Sequence, residues 1–286
     1  MKARALESAF VAGTAEYRER LLSVMDRKDH PSYWSLMGPG TARDQLLVHY
    51  CQEWAVYVRD FPVFLSRVHA ATPRPDVRRE LAENLYEEET GRISGGAPHG
   101  ELFLHMMEGL GFSRRSFNRV RLLPASRAYR RFLDEATTSA PWIVGLAVTT
   151  IFVEGSRNDR SEIASRVRRP AARPTLEPPS KVSAMPSVDD SIDRLLQSCK
   201  FDEEQAGGGD PLASDPLVVH HGLDPQFLEL KRVHRKVEGS HRLSAWTAVL
   251  THARSAEDQS RVVSALDLAL DLWLGYRDGV SRAARL

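Results

Sequence analysis

The 286-residue chain has only two cysteines, Cys51 and Cys199, and their separation excludes both a disulfide framework and a CxxC zinc motif. A reducing cytoplasm is the compartment expected for such a chain. A membrane-length hydrophobic run is also missing. The longest apolar stretch, PWIVGLAVTTIFV at 141–153, falls well short of the roughly 20 residues a span needs, and reads as a buried core helix. Within MKARALESAFVAG, Glu7 interrupts the short apolar part, so no secretory signal is expected. Charge of one sign is not in excess: 39 Lys and Arg face 38 Asp and Glu, for a net charge of +1. That balance excludes a global basic field, so nucleic acid is not an expected partner. Strand signals are nearly absent too, with no sustained period-2 alternation and no Asn-Gly or Asp-Gly hairpin turn.

Helical periodicity is what the chain does contain. In the segment 41–71, Leu46, Leu47, Tyr50, Trp54, Val58 and Phe61 recur mostly at spacings of three and four, with a kink expected at Pro62. A second helix runs from Pro75, with an acidic first turn, to Gly91. After a Gly-Gly-Ala-Pro break comes HGELFLHMMEGLG, closing at Gly109 and Gly111. The segment 126–155 then reads as two helical parts joined near Pro141. Two long helices finish the chain, and the total predicts one all-α domain over 1–286, a bundle of about seven or eight helices.

One region breaks the pattern. From 156 to 215 the chain is rich in Pro, Gly, Ser and charge, and reads as a flexible insertion with one short amphipathic patch at 188–200.

The densest chemistry lies in VHRKVEGSH. His234, Glu238 and His241 stand at i, i+4 and i+7, which covers only about 60° of a helix face, so the three side chains can converge. Imidazole with carboxylate suits zinc, iron or manganese, and two His with one carboxylate is the recurrent non-haem iron set. The plainer alternative is a solvated face, since Lys231, Arg232, Arg235 and Lys236 share the helix. Glu154 ends an almost wholly apolar run, where a carboxylate is expensive without a cation, although Gly155 also allows an exposed helix end. VEGSR at 153–157 partly echoes VEGSHR at 237–242. In ENLYEEETG, Glu87, Glu88 and Glu89 fan over about 200° of their helix, so one should turn inward, and His99 opens the next helix. A ferritin-like diiron bundle needs two Glu-x-x-His motifs on separate helices, but Glu238 to His241 is the only candidate here.

At these residues the chain resembles the haem-oxygenase-like diiron oxidases and oxygenases, an all-α family related to the thiaminase II (TENA-like) and pyrroloquinoline-quinone synthase proteins. ENLYEEETG and PHGELF stand where that family has an Asn-Leu-x-Glu-Glu-x-Gly element followed by a His. Glu154 matches its lone Glu on a buried helix, and His234, Glu238 and His241 its His-x3-Asp/Glu-x2-His motif, with HHGLDP at 220–225 as the lead-in. The resemblance implies that Glu88 and His99 bind one iron, that Glu154, His234 and His241 serve a second, and that Glu238 binds or bridges. Counting forward from Asn84 selects Glu88, whereas counting back from Gly91 selects Glu89; His105 stands in reserve for His99. It implies two Fe(II) per chain, dioxygen as co-substrate, a small metabolite (amino acid, amine or fatty acid) as substrate, and N-oxygenation, desaturation or oxidative C–C cleavage as outcome. An electron donor and a homodimer join the expected partners, the latter through Leu266, Leu270, Trp273 and Leu274, which serve a core equally well. The insertion after Glu154 is placed to act as a lid.

Rival readings share the fold or dispense with chemistry. A TENA-like hydrolase needs a cysteine nucleophile but no metal, and a cofactorless oxidase needs no converging ligands. A helical interaction protein would use the Arg-rich RVRRPAARP at 166–174 on acidic partners.

Overall fold

The computed structural model describes residues 15–161 and 212–286, apart from the side chains of residues 236–243. All regular structure among the described residues is helical. Residues 15–26 form α1, followed by α2 (Pro31–Met37), α3 (Arg43–Glu53), α4 (Phe61–Ala71), α5 (Pro75–Thr90) and α6 (His99–Gly109). Then come α7 (Pro124–Thr138), α8 (Trp142–Leu146), α9 (Pro216–His221), α10 (Glu229–His252) and α11 (Ala256–Ala284). The all-α expectation holds, but the chain is cut more finely than seven or eight elements. The insertion expected at 156–215 lies for the most part outside the described residues, as do Cys199, the patch at 188–200 and the Arg-rich segment 166–174.

Local chemistry explains the breaks. Pro62 does not kink a continuous helix as expected; it sits in the first turn of α4, where its missing N–H costs nothing, and the chain breaks before it at Asp60. Pro75 opens α5 in the same way, and Gly91 ends that helix in the left-handed conformation, φ 62°. The side chain of Ser255 accepts the Asp258 N–H and so caps α11.

That last helix is the spine of the bundle and packs against α3, α7 and α8. Leu266, Leu270 and Trp273 are buried and Leu274 packs on the core, so this stripe belongs to the interior of the chain. Tyr129 of α7 stacks on Tyr276 of α11, ring centroids 5.8 Å apart.

Two segments depart from α geometry. Trp54–Val58 continues α3 and Ala147–Val153 continues α8, both as π-helix. In each the hydrogen bond reaches back five residues: Arg59 N–H to the Trp54 carbonyl at 3.1 Å, Glu154 N–H to the Thr149 carbonyl at 3.3 Å. The extra residue per turn resets which side chains face inward, and such segments gather at functional sites. Both run into the wall of the same cavity.

Beside it lies a buried polar network. Arg277 of α11 donates to His49 Nδ1 at 3.1 Å, and His49 Nε2 lies 3.3 Å from Glu53. A guanidinium can only donate, so Nδ1 carries the lone pair, Nε2 the proton, and His49 is neutral. Burial, the main influence on His49, lowers its pKa in agreement. Burial alone would raise the Glu53 carboxyl, but His49, Arg277 and the Tyr57 hydroxyl that donates to it outweigh that and hold it at about 2.

Acid should therefore loosen this corner. Glu53 has a folded pKa below its unfolded 4.5, so its contribution is present above that value and is lost as pH falls through about 2. His49, with its pKa below the unfolded 6.5, contributes in the same direction, since protons favour the unfolded chain as pH falls below that value. The melting temperature of the wild type is expected to fall more steeply from about pH 7 to about pH 3 than that of Glu53→Gln. Parallel profiles would remove Glu53 as the source of acid sensitivity.

Candidate metal centre

A cavity of about 240 Å³ opens between α5, α6, α10 and the two π-segments. Its wall is mainly apolar, with Tyr57, Val58, Phe61, Val153 and Leu230; its polar lining is Asn84, Glu88, His99, Glu154 and His234.

Three of the expected residues converge there. Glu88, His99 and His234 each offer a ligand atom, and these atoms lie within 4.8 Å of one another. His99 is buried at the start of α6, its ring 5.0 Å from that of His234 on α10. Nδ1 of His99 stands 2.9 Å from Glu88 Oε1. The contact has the distance of an ion pair without the alignment of a hydrogen bond, and Nδ1 is a buried polar atom with no hydrogen-bond partner among the described residues. A carboxylate oxygen and an imidazole nitrogen 2.9 Å apart, with a second imidazole within 4.8 Å, also have the spacing of neighbouring ligands around one small cation. On that observation the donor set fits a transition metal.

Glu87, one residue earlier on α5, is fully buried behind the cluster. Its Oε1 lies 3.3 Å from His99 Nε2, and its Oε2 accepts the backbone N–H of Ile93 at 2.8 Å and Ser94 at 3.3 Å. Burial acts to raise its pKa, but His99 and these donors outweigh it and hold the carboxyl at about 2. Burial acts to lower the His99 pKa, and the two carboxylates overturn that and lift it to about 9. The cluster is built to hold positive charge.

Glu154 lines the same cavity just beyond the second π-segment, and its Oε1 accepts from Asn84 Nδ2 at 2.7 Å. Lys28 secures the turn that carries it, donating to the carbonyls of Phe152 and, at 2.6 Å, Gly155. Glu154 is thus held on both sides, by backbone capping and by a carboxamide.

The other expected residues divide clearly. Glu238 and His241 follow His234 along α10, but their side chains lie outside the described residues. The resemblance grouped His234 with Glu154 and His241; the structure sets it beside Glu88 and His99. Glu89 is not in the cluster, so counting forward from Asn84 is the reading the geometry favours. His105 is no substitute for His99: its side chain is 48% exposed, beside Glu108 and the Phe227 ring. Sequence reasoning missed Lys28 and the role of Asn84. Asn84 served there only as a point to count from, and nothing in the spacing of Lys28 links it to a turn more than a hundred residues away.

Cys51 is a poor nucleophile. It is half-buried beside the Ser116 carbonyl at 3.5 Å, and burial raises its thiol to about 11. Among the described residues no helix is long and apolar enough to cross a membrane.

The chain is similar to the 4-aminobenzoate synthase of Nitrosomonas europaea, 21% identical over 280 residues, covering 93% of this chain and 92% of the relative. It is also similar to the 4-aminobenzoate synthase of Chlamydia pneumoniae, 26% identical over 106 residues, which are 36% of this chain and 46% of that one. In fold it resembles a TenA homolog from Pseudomonas syringae pv. tomato, with a TM-score of 0.57 at 12% identity over 96% of this chain and 92% of the other. The model of the iron-containing redox enzymes matches residues 48–274, a span that takes in every proposed ligand from Glu88 to His241, and the chain belongs to that family.

Proposed function

We propose that this chain is a non-haem iron oxidase or oxygenase that uses dioxygen on a small metabolite, with two irons held by Glu88, His99, Glu154, His234, Glu238 and His241. The observation that carries the reading is the convergence of Glu88, His99 and His234 at the cavity, with the buried Nδ1 of His99 lacking a hydrogen-bond partner among the described residues. Iron in a His and carboxylate site with open positions supplies the electrons and Lewis acidity for dioxygen chemistry.

The chain's own residues shape the rest. Val58, Phe61, Val153 and Leu230 give the cavity an apolar wall that favours the apolar body of a substrate. Asn84 donates to the Glu154 carboxylate and so orients it at the cavity wall. The cavity suits a molecule the size of one substituted ring or a short chain. The Nitrosomonas relative, similar along nearly the whole chain, brings aromatic amine formation as one reaction to test. Oxidation of an amino acid, amine or fatty acid is the broader class.

The protein should be purified without metal and titrated anaerobically with ferrous iron, then exposed to oxygen while oxygen uptake is recorded. Two irons per chain and oxygen uptake that depends on iron are expected. Fewer than one iron per chain would overturn the reading.

A further inference from the structure

We propose that Glu87 is a positioning residue that fixes which nitrogen of His99 faces the metal. The inference rests on the metal centre proposed above. Glu87 and Glu88 are neighbours on α5, about 100° apart around the helix, and they reach opposite nitrogens of one imidazole. Glu88 meets Nδ1, on the side of His234; Glu87 meets Nε2 from behind.

An ionised carboxylate only accepts hydrogen bonds. The Ile93 and Ser94 amides occupy Oε2 of Glu87, leaving Oε1 to take a proton from Nε2. A cation that binds here displaces the Nδ1 proton, and because Glu87 keeps the remaining proton on Nε2, it is the Nδ1 lone pair that faces the cluster. Glu87 also ties the loop after Gly91 to the ring that opens α6, so one buried side chain sets both the orientation and the tautomer of His99. The triple Glu run thereby divides its labour: Glu88 lies in the cluster, Glu87 aims its neighbour, and Glu89 does neither.

Glu87→Gln separates this role from loop folding. A carboxamide has nearly the same shape, and its oxygen can still accept the loop amides. Its NH₂ then faces His99 Nε2, which must accept, and the proton is driven to Nδ1, into the metal's position. Wild type and Glu87→Gln should be titrated anaerobically with Fe(II) and with Zn(II), and melted without metal. The Zn(II)-loaded wild type, labelled with ¹⁵N-histidine, should be read for the protonated nitrogen of His99.

The expected result is a roughly 10- to 100-fold loss of affinity for both metals in Glu87→Gln, a metal-free melting temperature close to the wild type, and a proton on Nε2 of wild-type His99. Unchanged affinity in Glu87→Gln would overturn the inference alone and leave Glu87 as a loop anchor. A proton on Nδ1 in the Zn(II)-loaded wild type would do the same without relying on the variant. A wild type that takes up neither metal would overturn the metal centre, and this inference with it.

Discussion

His234→Ala and His99→Ala should each lower ferrous iron affinity by more than about 100-fold, beyond what the loss of an outer partner costs. Each removes a ligand atom from a set whose members lie within 4.8 Å of one another. The two variants reach this result differently. His99 is buried, its Nε2 near Glu87 and its Nδ1 near Glu88, so Ala there also strands two carboxylates next to a void, and the metal-free protein should be less stable as well. His234 is less buried, on a helix whose register is set by its neighbours, and its loss should spare the metal-free fold.

Thermal melting distinguishes the cases. A metal at about 100 times its dissociation constant stabilises the native state by about 2.7 kcal/mol, or roughly 5–10 °C for a chain of this size. The wild type should gain that shift on adding Fe(II) under anaerobic conditions. His234→Ala should melt like the metal-free wild type and gain nothing; a variant that keeps the full shift would remove His234 from the centre.

How far this centre is legible in sequence depends on the range of each contact. The helix faces are local properties, so Leu46, Tyr50, Trp54 and Phe61 are recognisable as core residues from their spacing, and they are buried. Glu88 and His99 lie eleven positions apart across one loop, and the motif with its following His points to both. The π-segments are not legible, because a single added residue in an apolar run leaves the composition unchanged while resetting the face, and that resetting brings Tyr57 and Glu154 to the cavity. His49, Glu53 and Tyr57 repeat every four residues, a signal of a shared face that could have been read. Arg277, which decides the protonation of His49, is far along the chain and enters only with the fold. Glu87 was readable as one of three acids, but its use was not, since its partners are loop amides that exist only once Gly91 has turned the chain.

That turn is the most fragile point of the site. A Cβ built on Gly91 would lie 2.3–2.6 Å from the backbone oxygen, carbon and nitrogen of Ala97, and backbone cannot swing aside as a side chain can. Gly91 also stands at φ 62°, where an L-residue pays about 1 kcal/mol. Gly91→Ala is therefore expected to lose on the order of 3–5 kcal/mol, the range reached only when packing and backbone conflict together. Gly95, in the same loop at φ 77°, has nothing within 4 Å of its Cβ position, so Gly95→Ala carries the conformational strain alone and should lose about 1 kcal/mol. Chemical denaturation of the pair isolates the clash. Because the loop from Gly91 to Pro98 carries the amides that Glu87 holds and delivers His99 to α6, Gly91→Ala should also weaken iron uptake at temperatures where it remains folded, whereas Gly95→Ala should not. Equal losses in the two variants would mean that the close approach of Gly91 to Ala97 does not shape the site.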